Sequence, residues 1–152
     1  MNQPIIQIIF IALGWVVVHK LTTNRDNRKA RIDLLSKEAD AITGEILSLF
    51  ELSLKYHKEN RDISNENKIK MSLQDISARA SMLTEICTDN QSLSACRSAI
   101  LRMKRSITAE HFEDEHSAPL DDRSQQINSI AGETLKAKQT FLRFKQRLLL
   151  PR

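Results

Sequence analysis

The sequence predicts an all-α protein: an N-terminal transmembrane helix followed by an up-down four-helix, coiled-coil-like bundle. Three observations carry this. Only three Gly and three Pro occur in 152 residues, and aromatics make up 5%, whereas sheets need β-branched and aromatic runs divided by turn residues. Residues 5–18 read IIQIIFIALGWVVV, with Gln7 the sole polar side chain. Beyond residue 25, apolar positions return in alternating steps of three and four, the mark of helices that each bury one stripe.

The candidate anchor residues are Ile5, Ile6, Ile8, Ile9, Phe10, Ile11, Leu13, Trp15, Val16, Val17 and Val18. With Pro4 and Leu21 at its edges the segment is about eighteen residues long, spanning about 27 Å against a ~30 Å hydrocarbon layer. Lys20 can snorkel across the shortfall. Trp15 and His19 sit where an interfacial belt is expected, and Pro4 falls at a helix start, where its missing N–H costs nothing. Two other readings meet the same run, a buried helix of a soluble core and a cleaved signal peptide. The second lacks its features: no basic residue precedes the run, and HKLTTNRDNRK follows it in place of a small-residue cleavage site.

Orientation follows from the flanks. Lys20, Arg25, Arg28, Lys29 and Arg31 come after the run, against Asp26 alone until Asp33, and no Lys or Arg comes before it. The positive-inside rule then puts the C-terminal domain in the cytoplasm.

The expected division is an anchor over 1–22 and a bundle over 23–152, with helices near 24–58, 65–88, 92–112 and 119–150. The first stripe is Ile32, Leu35, Ala39, Ile42, Ile46, Leu49, Ser53 and Tyr56, widened by Leu47, Phe50 and Leu54. No proline separates it from the anchor, so the two are expected to form one helix. Residues 60–67 are a polar break, with Ser64 the expected N-cap. The second stripe is Ile69, Leu73, Ile76, Ala80, Leu83 and Cys87; the third is Leu93, Cys96, Ile100, Met103 and Ile107. An acidic connection follows, with Ser117 a candidate cap. The fourth helix is expected to start near Pro119, with Asp121 and Asp122 in its first turn where the helix dipole favours anions. Its stripe runs Ile127, Ile130, Thr134, Ala137, Phe141, Phe144 and Leu148, and Pro151 stops it. Short connections make the antiparallel up-down-up-down order the default.

Charge is unevenly placed. Residues 20–37 carry six basic and two acidic side chains, and residues 134–152 carry six basic and no acidic ones, so the remainder is net acidic although the chain totals +4. In an up-down bundle the fourth helix returns towards the membrane. Lys20, Arg25, Arg28, Lys29, Arg31, Arg143, Lys145, Arg147 and Arg152 are therefore the candidate contacts to an anionic leaflet, each contributing about 1 kcal/mol near the surface. The bland alternative is a solvated helix face.

Signals for chemistry are weak. His111 and His116 bracket HFEDEH, but metal ligands on a helix repeat at i, i+3 or i+4 to share a face, whereas these residues crowd into a helix end and loop, where acids and His are ordinary solvated residues. Two cysteines match no zinc pattern and read as small apolar residues or, alternatively, a redox pair. Met71, Met82 and Met103 lie in or beside the stripes as core filler. Gly14, Gly44 and Gly132 form no phosphate loop, and Gly14 has no small partner at i±4. No paired carboxylates lie in an apolar setting. The pI of about 9.2 raises nucleic acid, yet the basic residues flank a membrane segment without interleaved aromatics, so lipid is the simpler target. The expectation is no enzyme, no cofactor, no metal and no small-molecule substrate.

Residues 11–31, IALGWVVVHKLTTNRDNRKAR, resemble the start of many small bacterial proteins of prophages and defence islands, in which a short anchor precedes an Arg- and Asp-rich helix. The resemblance implies the bacterial inner membrane. A second likeness is to the inner-membrane spanin subunits of phage lysis systems, which place a coiled-coil domain in the periplasm, contrary to the flanking charges here. Three functions are thus expected in order: a non-enzymatic anchored bundle that presents a cytosolic surface to a protein partner or to itself; a membrane-perturbing, pore-forming effector; and a periplasmic spanin-like lysis factor.

Overall fold

The computed structural model describes residues 3–87, 89–109, 112–115 and 118–150, and of residues 3–14, 16 and 17 the backbone alone. Thr88, His111, His116, Ser117, Pro151 and Arg152 lie outside the described residues. Four helices follow in order: α1 Gln3–Lys58, α2 Ile63–Ile86, α3 Asn90–Ile107 and α4 Gln125–Leu149. The chain divides into two units, Met1–Leu34 and Leu35–Arg152.

The second unit is an up-down-up-down bundle, and its polar contacts fix the directions. Arg79 near the end of α2 pairs with Glu38 and Glu45 early on the bundle part of α1. Arg97 of α3 donates to Thr84 of α2. Arg102 pairs with Glu133, while Arg147 donates to Ser92, so α4 runs against α3. Lys58 meets Asp122 and Lys145 meets Asp40, so α4 also runs against α1.

The stripes form the core. Leu35, Ala39, Ile42, Ile46, Leu49, Ser53 and Tyr56 of α1 are buried, as is every named position of the second and third stripes. On α4, Ile127, Ile130, Thr134, Ala137, Phe141 and Phe144 are buried. Ile32 and Leu148 at the ends are half-buried. Each fully buried large aliphatic contributes about 1.5–3 kcal/mol. One stripe position carries a defect: Thr134 Oγ1 is buried with no hydrogen-bond partner. A desolvated, unpaired hydroxyl costs about 1–3 kcal/mol, so Thr134→Val is expected to raise stability by about 1 kcal/mol, seen as a higher urea midpoint at unchanged slope.

Helix ends differ from expectation where capping decides them. Asp62, not Ser64, caps α2, its Oδ1 accepting from Ser64 N at 2.8 Å. Asp89 caps α3 by accepting from Ser92 N at 3.2 Å. Ser124 caps α4 through Ile127 N at 3.2 Å. The last helix therefore starts at Gln125, after Asp121 and Asp122, which lie in the connection, and not near Pro119; in that connection Leu120 N–H donates to His57 O at 2.8 Å. The third helix stops at Ile107, with Thr108 its C-cap donating N–H to Lys104 O at 2.9 Å; further on, Phe112 N–H donates to Ala109 O at 2.8 Å. Met71 and Met82 are not core filler: they are 69% and 60% exposed, and only Met103 of the three is buried.

In the first unit, Trp15 stacks on His19 with ring centroids 5.3 Å apart and planes within 5°. Thr22 and Thr23 bond back to Val18 O and His19 O at 2.9 Å, keeping their hydroxyls satisfied within the helix. Among the described residues, no helix is long and apolar enough to cross a membrane. The side chains of Ile5, Ile6, Ile8, Ile9, Phe10, Ile11, Leu13, Val16 and Val17 lie outside that description; Trp15 and Val18 are described, and both are exposed.

Candidate functional site

The densest polar chemistry lies where α1 ends. Tyr56 and His57 are both buried, 4% and 3% exposed, and pack edge to face. His57 Nε2 lies 2.9 Å from Ile107 O, and Phe112 tilts against the Tyr56 ring. Glu113 takes a left-handed φ of 68°, the sharp reversal that aims its N–H at Tyr56 Oη, 3.2 Å away. Four charges close the region. Arg61 and Lys70 both reach the buried Glu66 carboxylate at 3.0 Å, and Lys70 also pairs with Glu113.

This network shifts its members in consistent directions. Burial pushes the Glu66 carboxyl up, but hydrogen bonds from Lys70 and Arg61 outweigh it, and the net result lies below the ordinary glutamate range. Hydrogen bonds to Glu113 and Glu66 raise Lys70. A depressed carboxyl stabilises the fold fully above its unfolded range, and that contribution is lost as pH falls through the folded value. Glu66→Gln should therefore flatten the loss of melting temperature between about pH 5 and pH 3; an unchanged slope would place the acid sensitivity elsewhere.

Beside this network an open groove of about 360 Å³ is lined by Lys70, Leu73, Gln74, Lys104, Thr108, Phe112 and Glu113. Phe112 is its aromatic wall, and its charged rim is partly neutralised by the Lys70–Glu113 pair. Cys87 and Cys96 are buried and form no disulfide, and burial pushes the Cys96 thiol up to about 12, far from thiolate chemistry at neutral pH. Among the described residues no three His, Cys, Asp or Glu side chains are grouped to hold a metal.

The basic residues separate into engaged and open ones. Lys145 Nζ is held by Asp40 at 2.6 Å, and Arg147 donates to Ser92 Oγ at 2.8 Å. Arg143 stands exposed on α4, and Lys20, Arg25, Arg28 and Lys29 are exposed on α1; Arg31, also exposed, is engaged. Sequence reading missed His57, Arg61 and Glu66. The only signal was position: His57 follows the last stripe residue, and Glu66 stands three residues before Ile69, on the same helix face.

No protein-family profile, curated protein or solved structure matches this chain.

Proposed function

We propose that this chain is a non-enzymatic, single-pass membrane protein of the bacterial inner membrane whose helical bundle presents a cytosolic surface to a protein partner. The observation that carries the proposal is the run at residues 5–18, apolar but for Gln7, followed at once by Lys20, Arg25, Arg28, Lys29 and Arg31. Hydrophobic length supports insertion, and one-sided positive charge supports a cytosolic bundle. Exposure of Lys20, Arg25, Arg28 and Lys29 supports contact with anionic headgroups. A partner surface is supported by large apolar side chains left outside a completed core, among them Met71, Met82 and Leu101, the last 55% exposed.

The test is a pair of fusions after Arg152 in a bacterial host, one to a fluorescent protein that matures only in the cytosol and one to an alkaline phosphatase active only outside it. Fluorescence in a carbonate-resistant membrane fraction is expected. Phosphatase activity would reverse the orientation and point to the spanin-like arrangement. A soluble, fluorescent chain would remove the anchor altogether.

A further inference from the structure

The edge of the bundle where α1 meets α4 carries an apolar seam outside the core. On α1, Asp40, Leu47 and Leu54 each follow a stripe position by one residue; on α4, Leu135, Leu142 and Leu149 do the same. Asp40 holds Lys145 across this border. Both rows therefore line the α1–α4 edge, while Glu38 and Glu45 turn the other edge of α1 to α2, and Glu133 and Arg147 turn that of α4 to α3. Leu47, Leu135, Leu142 and Leu149 are 38%, 55%, 38% and 61% exposed, and Leu54 is half-buried. Gly44 and Gly132 stand one turn before Leu47 and Leu135 on the outer flank of each row, and a Cβ at either would meet nothing within 4 Å beyond its own turn of helix. A helical glycine is less stable than alanine, and nothing in this chain uses the space these two leave. Counting from the Asp40–Lys145 pair along antiparallel helices, Gly44 lies level with Leu142 and Leu54 with Gly132, each to within one residue. Charge divides along the same edge. Residues 38–54 hold Glu38, Asp40, Glu45 and Glu51 and no Lys or Arg, whereas every charged residue after Glu133 is basic.

We infer that this α1–α4 face binds the same face of a second copy of the chain, about a two-fold axis running along the helices. That axis sets α1 of one copy against α4 of the other. Leu142 then seats over Gly44 and Leu54 over Gly132, each contact occurring twice by symmetry, with Leu47 and Leu135 between them. Asp40 and Glu51, both exposed, face the edge that carries Lys136, Lys138 and Arg143. An axis across the helices would instead set α4 on α4 and α1 on α1, bringing like charges together, which repels. Charge therefore selects the first axis, which also runs both chains in one direction, as two copies anchored in one bilayer must. The face measures about 27 Å by about 20 Å, on the order of 600 Å² per copy against about 800 Å² in a standard interface, which suits a reversible dimer. The inference deepens the partner-surface reading by naming the partner, and it rests on the anchor only for a high local concentration.

The experiment co-expresses two full-length chains with different tags in a bacterial host, each with one added cysteine, and oxidises the cell fractions with a copper catalyst. A cross-link between the tags can join only two copies, and the native cysteines are buried. Gly44→Cys with Leu142→Cys, and Leu54→Cys with Gly132→Cys, are expected to cross-link about tenfold more than a Met82→Cys pair on exposed α2 surface. Gly44→Phe fills the seat of Leu142 and is expected to cut the Leu54–Gly132 cross-link about tenfold, with circular dichroism unchanged. An undiminished cross-link in that variant overturns the inference. Equal cross-linking of Gly44→Cys with itself marks the axis across the helices and overturns the arrangement. A Met82→Cys pair that cross-links instead moves the contact to α2, which overturns this face and keeps a partner surface. Carbonate extraction separates the two claims. Chains that pellet with no cross-link in any pair keep their anchor and lose this dimer; chains that cross-link in the supernatant keep the dimer and lose their anchor.

Discussion

Ile11→Arg is expected to move most of the chain from a carbonate-resistant membrane pellet to the supernatant. The run at residues 5–18 has little apolar surplus: each Ile, Leu, Phe or Val at the centre of a span contributes about −0.3 to −0.6 kcal/mol to insertion, and a central Arg costs about +2.5 to +3.5 kcal/mol. One substitution at the middle therefore offsets about half or more of what ten such residues supply. Gln7→Leu acts in the opposite sense, removing the only polar side chain of the run, and should leave the pellet fraction equal or higher. Lys29→Ala should leave extraction unchanged, since it lies outside the run and touches orientation alone. If Ile11→Arg pellets like the parent, the segment does not hold the chain in a bilayer.

The stripes were legible because burial in a bundle demands a single period, and each helix kept it. Leu35 through Tyr56 and Ile127 through Phe144 could be read without knowing any neighbour, since steps of three and four place side chains on one face. The same geometry shows why Met71 and Met82 were misjudged: each stands two residues past a stripe position, about 200° around the helix, and points to water. The connection between α3 and α4 was illegible for a different reason. Its course is set by Tyr56 Oη receiving Glu113 N–H and by His57 O receiving Leu120 N–H, contacts between residues more than fifty positions apart. The candidate lipid contacts show both sides of this. Composition revealed a basic α4, but only folding shows that Asp40 claims Lys145 and Ser92 claims Arg147.

Phe141→Ala should lower the bundle's unfolding free energy by about 3–5 kcal/mol, the usual cost of emptying an aromatic site in a packed core. Phe141 is fully buried at 0% exposure and lies one α-helical turn from Ala137 and close to Phe144, so no exposed side chain can swing in to fill the space. Against a typical total of about 5–15 kcal/mol this is a large fraction, and the full chain in detergent should show it as a fall in urea midpoint with the slope kept. The neighbouring Leu142 supplies the contrast. It stands 38% exposed at the border of the core stripe, so Leu142→Ala should change stability far less, by about 0.5 kcal/mol. The pair contrasts consecutive residues of one helix: losing Phe141 weakens the fold, while losing Leu142 leaves it nearly intact. A Leu142→Ala variant as unstable as Phe141→Ala would place Leu142 in the core.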